Sequence, residues 1–374
     1  MQRVSQIELG LMFVLFNFST AAGFLIGPLS KLAGYQGWLS LFVSQAGGLL
    51  IACFSIWYGK KRSDEFIIHY GKEVVGKWIN LIMMIIYCLF FIHLAGVVLR
   101  QATDFLVQIY LPSTPSWIIA STFGLVISIA VRSGIEAIFR CAAGFFFIIF
   151  SAAAIAPFLV GKELDYQRAI ALLTHLNLKD LVHTSFPFIP WFGEMFLVIF
   201  ILPLITQVEK TTRTLIWSSL ISLLFLEVFY LLCIILFDDL LTGQFTYPTL
   251  EMLRFIRIGD FLENLDPIVV PIWIAGLFIK MSVLLFIVVW ISSKLLQLKD
   301  SRPLSFSFGA IMVGMAMHSA SNSVELNHFL QNAWVNFAYF VEISPLSYWL
   351  ISIVKDRFQS GGREGKISLG EVDK

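Results

Sequence analysis

The stretch from Phe186 to Ile205 constrains the fold of this chain more than any other. It reads FPFIPWFGEMFLVIFILPLI, which is long enough to cross a bilayer, because a spanning helix needs about 20 mostly apolar residues. Proline removes a backbone donor and clashes with the preceding turn, so Pro187 and Pro190 predict an interrupted helix. A carboxylate at this depth, here Glu194, costs about 2.5–3.5 kcal/mol, and broken backbone survives in hydrocarbon only where protein or water covers it. The stretch therefore predicts a site facing the protein interior; the alternative is an interfacial loop over 186–192 followed by a shorter helix.

The composition is that of a polytopic membrane protein. Of the 374 residues, 58% are hydrophobic and 14% charged, whereas soluble domains are about 45–50% apolar and about 25% charged. The net charge of +1 gives no indication of nucleic-acid binding. No Walker A loop, paired metal-ligand motif or serine elbow is present in the sequence, so we expect neither an enzyme nor a cofactor. The four cysteines lie far apart in apolar stretches and are interpreted as buried lone thiols: Cys53, Cys88, Cys141 and Cys233.

The apolar runs predict ten membrane spans in a single transmembrane domain, 1–374. The spans are 8–32, 38–59, 78–100, 116–131, 139–160, 186–205, 214–237, 267–292, 304–320 and 334–354, followed by a short tail, 355–374. Glu8 lies at the start of the first apolar run and the run resumes at Phe24, so we favour an uncleaved first span over a signal peptide. Most lysines and arginines fall on the side that holds both termini, which places the termini in the cytoplasm.

The first span is predicted to be interrupted as well. Asn17, Ser19 and Thr20 put polar groups at mid-membrane depth, and Gly23 follows them. Gly23 and Gly27 also fit the small-xxx-small pattern of close helix packing, which leaves the polar residues unexplained. Interrupted spans at matching positions of two halves indicate an inverted-repeat transporter. Spans 1 and 6 are five apart, so the fold class predicted is all-α with a five-plus-five inverted repeat, repeat one over about 8–160 and repeat two over about 186–354.

Lys280 lies well inside the eighth span and needs a partner there. It follows Pro267 by thirteen residues, which is about 20 Å at 1.5 Å per residue. Glu194 and Glu227 are the two candidate partners. The ammonium is expected either to take the place that a sodium ion holds in other five-plus-five transporters or to form a purely structural ion pair.

Two further groups in the third span and one connection are candidates. His93 is expected either to relay protons or to bond a neighbouring carbonyl. Arg100 and Asp104 are expected to form an interfacial pair, with a gate as the alternative. The connection 243–266 is expected to form one or two short surface helices broken at Gly259, serving as a lid or a docking surface.

The half-helices offer a second kind of ligand group. A helix beginning near Gly193, and another near Ala22–Phe24, would present free N–H groups and a positive dipole end to an anion such as an amino-acid carboxylate. Glu194 would then face the ammonium of a zwitterionic ligand.

Several motifs resemble the B subunits of spore-germination receptors, the GerAB-type spore germination permease family. They are Pro187-Phe188, Gly193-Glu194-Met195-Phe196, Leu202-Pro203, the block from Tyr247-Pro248-Thr249 to Asp266, Trp273–Lys280, and Gly34-Tyr35-Gln36-Gly37-Trp38. In this last motif Gly37 stands where an acid often follows the glutamine in the family, and the inserted Pro190-Trp191 is unusual.

The resemblance covers essentially the whole chain and implies a LeuT-like member of the amino acid/polyamine/organocation (APC) transporter superfamily. It implies a spore inner-membrane protein that assembles with a receptor A subunit and a lipoprotein C subunit, and a ligand that is an amino acid, a sugar or a nucleoside. Ligand residues carried over by position, together with those that the pattern itself singles out, are Asn17, Ser19, Thr20, Ala21, Ala22, Gly23, His93, Val97, Gly193, Glu194, Lys280 and Ser282. Two functions remain open, a nutrient sensor that triggers germination and a proton-coupled amino-acid permease.

Overall fold

The chain folds into a bundle of long apolar helices. The computed structural model describes residues 3–255, 257–258, 262–263, 266–320 and 322–370, with side chains described for 3–255, 267, 269–320, 322 and 324–355. Within these residues nine helices are long and apolar enough to cross a membrane, and the shorter apolar helix Leu304–His318 is a tenth. These ten segments correspond to the ten predicted spans.

The α-helices are, in chain order, α1 Gln6–Phe24, α2 Ile26–Ala33, α3 Gly37–Lys60, α4 Ile67–Val75, α5 Lys77–Ile109, α6 Ser116–Ser133, α7 Ile135–Val160, α8 Ala171–Thr174, α9 Leu181–Ser185, α10 Ile189–Gly193, α11 Thr211–Gln244, α12 Pro248–Arg254, α13 Asp266–Leu295, α14 Leu304–His318, α15 Ser323–Gln331 and α16 Ala333–Gly370. Short 3-10 segments occupy Gly34–Gln36, Tyr166–Ile170, Phe186–Phe188, Glu194–Phe200, Leu202–Leu204 and Val208–Lys210. Two short antiparallel strands, β1 Arg257–Ile258 and β2 Leu262–Glu263, pair with each other. Helix α16 continues past the predicted end of its span, so backbone of the predicted tail is helical as far as Gly370.

The packing of the spans repeats between the two halves of the chain. Helix α1 packs on α11, and the matching contact in the second half is the sixth span, α10 and Glu194–Phe200, on α3. Helix α5 packs on α14, and its counterpart is α13 on α6; α1 packs on α7, and its counterpart is α10 on α16. Each contact therefore recurs between the two spans that hold the equivalent positions in the other half of the chain. The five-plus-five repeat predicts this correspondence.

The sixth span is the more strongly interrupted of the two. One α-helical turn, Ile189–Gly193, is flanked by 3-10 segments, and the seven-residue segment Glu194–Phe200 is unusually long for a 3-10 helix. Pro187, Pro190 and Pro203 each lack the amide donor that a continuous helix would need, so the sequence itself prevents one here. This interruption confirms the prediction made from 186–205.

The first span is interrupted only slightly, and later than its polar residues indicate. Helix α1 runs unbroken through Gly23, and the interruption falls at Leu25, whose backbone angles remain right-handed helical. The Leu25 N–H donates to the Ala21 carbonyl at 3.1 Å and the Leu29 N–H donates to the Leu25 carbonyl at 2.9 Å. Residues 17–23 are thus helical, and their side chains mark the buried face of α1.

The connection after α11 is only partly what its pattern predicts. Asp238 has φ 67° and ψ 177°, which kinks α11 near its end. The first short helix is present as α12, but the second is replaced by the two paired strands, and Gly259 lies outside the described residues. Tyr247 and Leu250 are buried, so this connection packs onto the bundle and covers the end of α1.

The outside of the bundle is apolar along the spans. Exposed large side chains recur on the outward faces of α5, α6, α7 and α11, including Ile82, Leu125, Phe147 and Leu224. A soluble protein rarely leaves a continuous apolar surface of this kind uncovered. The bilayer is the environment that covers it.

Candidate functional site

A buried ion pair joins the two halves of the bundle at mid-membrane depth. The Lys280 ammonium on α13 lies 2.6 Å from Glu194 Oε2, at the point where α10 gives way to the 3-10 segment. The same ammonium donates to the Thr20 hydroxyl of α1 at 2.9 Å and lies 4.5 Å from the centroid of the Phe16 ring. Lys280 is 1% exposed and Glu194 5%. Three spans that are distant in sequence therefore meet at one cation, and Glu194, not Glu227, is its carboxylate partner.

A second carboxylate stands beside this pair. Glu342, in α16, is 1% exposed, and neither of its oxygens has a hydrogen-bond partner among the described residues. It lies against the backbone of Gly193, since a Cβ added at Gly193 would be 2.0 Å from Glu342 Oε2. A side chain at 193 would displace this carboxylate from its present position.

A small cavity opens beside the ion pair. It is lined by Thr20, Leu94, Val97, Val98, Gln101, Trp191, Glu194, Lys280, Leu330 and Trp334, with an empty volume of ≈ 290 Å³. The gaps between the lining side chains are so narrow that the cavity accommodates little more than one water molecule. Ligand pockets are usually about 300–1,000 Å³, so a nutrient enters only if the lining side chains move.

A vestibule lies above the cavity, at the end of the bundle where α1 ends. It has an empty volume of ≈ 1250 Å³ and opens to solvent between α2, α5, α15 and residues 243–247. A crevice lined by Gln101, Trp191 and Leu330 joins it to the cavity, and the same three side chains line the cavity itself. They separate the ion pair from the vestibule in this conformation.

An apolar cavity lies on another side of α1. Its empty volume is ≈ 640 Å³, and α5, α7, α11, α12 and α13 complete its walls. Ala22 and Gly23 line this cavity, not the one at the ion pair. The Trp273 ring packs on Gly23, where an added Cβ would be 2.1 Å from it, and the Trp273 indole N–H donates to the Ser19 carbonyl at 2.6 Å.

The predicted ligand residues are divided by the fold. Thr20, Val97, Glu194 and Lys280 line the small cavity, and Gly193 supports it from behind. The others lie elsewhere: Ala21, Ala22 and Gly23 face other parts of the bundle, and Asn17, Ser19 and Ser282 are buried without lining either cavity. The Asn17 amide donates to the Met195 sulfur at 3.2 Å, which ties α1 to the sixth span.

Among the described residues, no carbonyl bonds to His93 Nδ1. Its ring stacks on Trp334 with centroids 5.0 Å apart and planes at 23°, and Nδ1 is buried without a hydrogen-bond partner among the described residues. Because Trp334 lines the cavity, His93 supports a wall of the cavity from behind.

The Arg100–Asp104 pair forms as expected. Arg100 Nε lies 2.8 Å from Asp104 Oδ1, and Arg100 also donates to the Ala316 carbonyl of α14 at 3.3 Å. Asp104 lines the vestibule.

The prediction of free backbone donors at the interruptions is wrong. The Glu194 N–H donates to the Pro190 carbonyl, and the amide nitrogen of Gly193 is covered by α3, where a Cβ added at Gly48 would be 2.5 Å away. At the first span the Leu25 N–H is also engaged. The cationic group at this site is therefore the Lys280 side chain, and no helix N-terminus supplies one.

Sequence reasoning missed the aromatic and polar residues that close the cavity, together with Glu342. Trp334 belongs to an ordinary apolar run, and although Trp191 lies in the interrupted sixth span, its side chain carries no local sign that it lines a cavity. Glu342 did carry a signal, because it is an acid near the middle of the tenth span, where a charge is costly.

The arrangement combines a fixed cation, two carboxylates and aromatic walls in a small buried space. Opposite charges attract each other more strongly in such a space than in bulk water, because the local dielectric is low. The described residues contain no group of three or more His, Cys, Asp or Glu side chains placed to hold a metal ion.

Solved structures with the same fold include proteins described as a transporter and as a symporter. Mhp1, a nucleobase-cation-symport-1 family transporter solved in a closed conformation with bromovinylhydantoin bound, matches with a TM-score of 0.60 at 12% identity over 90% of this chain and 76% of that one. MhsT in complex with L-phenylalanine matches with a TM-score of 0.60 at 12% identity over 92% of this chain and 98% of that one. A Na⁺-coupled sialic acid symporter matches with a TM-score of 0.62 at 11% identity over 90% of this chain and 76% of that one. The chain is thus a multi-pass membrane protein with the LeuT fold.

The chain belongs to the spore germination protein family. The family model described as Spore germination protein matches residues 3–324. Spore germination protein KB of Bacillus subtilis (strain 168) is 25% identical over 376 residues, covering 97% of this chain and 99% of that protein. YndE of the same organism is 24% identical and XB of Bacillus anthracis 21% identical, covering 80% and 68% of this chain and 83% and 71% of those proteins. The resemblance predicted from the motifs is confirmed.

Proposed function

We propose that this protein is the nutrient-binding B-type subunit of a spore germinant receptor, and that its ligand is an amino acid held at the Glu194–Lys280 pair. The observation that carries the proposal is this buried pair, which lines a cavity below a vestibule open to solvent and is separated from it by the side chains of Gln101, Trp191 and Leu330. Membership of the spore germination family supports the biological setting.

The proposed ligand follows from the charges. The Lys280 ammonium binds the carboxylate of an amino acid, and Glu194 binds its ammonium group, so the ligand replaces the internal ion pair by two pairs of its own. Neither protein charge is left unpaired, which avoids the several kcal/mol that an unpaired buried charge costs. The tryptophans Trp191 and Trp334 pack against the remainder of the ligand.

Sensing follows from the closed state of the cavity. A ligand shifts a conformational equilibrium only by its differential affinity for the two states. An amino acid that enters must displace Gln101, Trp191 or Leu330 and separate Glu194 from Lys280, so it favours a conformation in which the sixth span has moved relative to α13. This movement passes to partner subunits as the germination signal.

The proposal includes the setting of the whole chain. The protein is a single transmembrane domain in the spore inner membrane with both termini in the cytoplasm, and it assembles with an A subunit and a lipoprotein C subunit. The vestibule faces outward. The activity is binding and signalling without catalysis. Lysines near one end of the bundle support this orientation, including Lys60, Lys294 and Lys355.

Spores that lack the gene, complemented with variants, test the function. We expect wild type to restore germination with at least one single amino acid, and Glu194→Gln to abolish this response, because neutral glutamine no longer pairs with the ligand ammonium. Glu227→Gln is the matched control, since Glu227 is also an acid central in its span and does not line the cavity. The readout is loss of spore refractility against amino acid concentration, with binding of the labelled amino acid to purified protein measured in parallel.

A response to amino acids that Glu194→Gln leaves unchanged in both assays would contradict the assignment of the site. A response only to sugars or nucleosides would support the germinant-receptor function and would contradict the amino acid as its ligand.

A proton-coupled amino-acid permease is the second candidate, because solved proteins of the same fold are transporters and the vestibule leads to the ion pair. In that case Glu194, His93 or Lys280 carries the proton. Accumulation of labelled amino acid in proteoliposomes, abolished when the proton gradient is collapsed, would favour the permease. Binding without accumulation would favour the sensor.

A further inference from the structure

Glu342 is a buried carboxylate for which the site described above provides no counterion. The described residues place two carboxylates and one ammonium together at the centre of the bundle: Glu194, Glu342 and Lys280. Lys280 is already engaged by Glu194 at 2.6 Å and by Thr20 at 2.9 Å. With all three groups ionised, one negative charge would remain uncompensated in a low-dielectric interior.

Within the part of the chain that the structure describes, no hydrogen-bond donor stabilises such a charge on Glu342. Both of its oxygens are buried without a hydrogen-bond partner among the described residues. Pro345 would leave the Val341 carbonyl without its helical donor, and the Ser344 hydroxyl donates to that carbonyl at 2.5 Å instead. The Tyr87 hydroxyl is 2.5 Å from the Ser344 hydroxyl and is therefore the donor in that pair. The hydroxyl groups of Ser344 and Tyr87 therefore donate to other acceptors and not to Glu342.

The other titratable groups around Glu342 do not pair with it either. The charged groups that act on it electrostatically are Glu194 and Lys280. On its own helix the Tyr339 hydroxyl donates to the Phe186 carbonyl at 2.8 Å, and on α5 the His93 ring stacks on Trp334. Helices α3, α4 and α15 make ring or close packing contacts with α16 at Trp349, Tyr348 and Trp334, each at least six residues from Glu342.

We propose that Glu342 is a proton-binding site, occupied in this conformation, whose occupancy is set by the Lys280–Glu194 ion pair. An isolated buried carboxylate takes up a proton because the neutral acid avoids the cost of burying an unpaired charge, and two carboxylates that share one site do not both ionise. A proton neutralises the excess charge where the described residues offer no further cation.

The coupling makes the proposal specific. While Glu194 holds Lys280, Glu342 keeps its proton. When Glu194 loses its charge, Lys280 has one remaining counterion, so Glu342 releases its proton to water and pairs with the ammonium. The protonation does not depend on the proposed nutrient, because a zwitterion that pairs with both Lys280 and Glu194 leaves no free cation for Glu342.

Infrared spectroscopy of the purified full-length protein in nanodiscs, without nutrient, tests this directly. A protonated carboxylic acid has a C=O stretching band outside the amide region that shifts in D₂O. We expect wild type to show a band at neutral pH that Glu342→Gln removes and that disappears as the pH is raised. We expect Glu194→Gln to remove the same band although it leaves Glu342 in place, and Lys280→Met to increase the intensity, because Glu194 then also takes a proton.

Glu227 is a further acid inside the spans, so Glu227→Gln is the control. Any band that Glu227→Gln removes must differ in position from the band lost in Glu342→Gln. If Glu342→Gln does not fold, Glu194→Gln still decides the matter. A wild-type spectrum without a Glu342 band overturns the proposal. A band that Glu194→Gln leaves at full intensity does so as well. A band that sodium removes at constant pH also overturns it, because the site would then bind a metal cation in place of a proton. Because no ligand is used, failure here leaves the germination assay as an independent test of the nutrient site.

Discussion

At the scale of single residues, the centre of the protein is governed by the cost of burying charge. Removing one member of a buried ion pair usually costs about 3–5 kcal/mol, because the remaining charge is left without compensation. The Lys280–Glu194 pair is unequal, since Lys280 is the cation of the cluster whereas Glu194 is one of two carboxylates. The two charges should therefore differ in what their removal does to stability.

We expect Lys280→Met to lower the free energy of unfolding by about 3–5 kcal/mol and Glu194→Gln to lower it by clearly less. In the first variant Glu194 loses its counterion and is neutralised only by taking up a proton, whereas in the second Glu342 takes over the ammonium. The double variant Lys280→Met/Glu194→Gln should recover much of the loss of Lys280→Met. Thermal unfolding of the purified protein in detergent measures all three, and equal losses for the two single variants would contradict the argument.

The residues of this cluster were partly predictable. Lys280 and Glu194 stand out in the sequence because a charge inside a span is rare and costly. The sequence left Glu194 and Glu227 as equal candidates for the partner, since both are central in their spans. The choice depends on which face of α11 and of the sixth span turns towards α13, and the packing of the whole bundle sets that rotation.

At the scale of elements, the interrupted sixth span is held between two glycine-dependent contacts. Gly193 makes room for the Glu342 carboxylate, and Gly48 of α3 lies against the backbone of Phe192 and Gly193 on the other side. An added Cβ at Gly48 would be 2.5 Å from both Gly193 N and Phe192 C. Backbone cannot move aside as a flexible side chain can, so this contact fixes the position of the span.

We expect Gly48→Ala to destabilise the protein by about 1–3 kcal/mol, because the close approach of α3 to the sixth span is lost. Gly144→Ala is the matched control, since Gly144 is also in a spanning helix, is exposed, and has nothing within 4 Å of an added Cβ. The control should be neutral or gain about 0.5–1 kcal/mol from its better helix propensity. Unfolding midpoints measured side by side decide this, and similar losses in both variants would contradict the packing argument.

The elements themselves followed from local sequence to different degrees. The prolines of the sixth span predict its interruption, because each of them removes a backbone donor in any context. The interruption of the first span was placed too early, because buried polar side chains were interpreted as a broken backbone. Ser19 and Thr20 instead serve contacts with Trp273 and Lys280 from within a regular helix.

At the scale of the whole molecule, basic side chains gather at one end of the bundle. Lys60 bonds the Glu209 carbonyl at 2.7 Å, Lys355 reaches the Glu73 carbonyl at 2.5 Å, and Lys294 lies 5.8 Å from the centroid of the Phe66 ring. The vestibule opens at the other end, where Asn327 is among its lining residues. The positive-inside rule then predicts that the vestibule faces away from the cytoplasm.

Cysteine labelling in intact cells tests this orientation. Cys141 is exposed, so its interpretation as a buried thiol is wrong, and the labelling background carries Cys141→Ser. In this background we expect Asn327→Cys to react with a membrane-impermeant maleimide and Lys299→Cys to react only after the cells are permeabilised. Both positions are exposed, so accessibility within the protein is matched. The reverse labelling pattern would contradict this orientation and would place the opening of the vestibule on the cytoplasmic side.

The sequence by itself determined the membrane class, the ten spans, the interruption near Pro190 and the charged residues that need partners, because each follows from composition or from backbone chemistry that acts locally. It also determined the family, through motifs that lie along most of the chain. The tertiary structure alone decided that Glu194 pairs with Lys280, that Glu342 stands beside them, and that Ala22 and Gly23 face a different cavity. Those facts depend on how helices distant in sequence rotate and cross, and a residue's neighbours along the chain do not specify these angles.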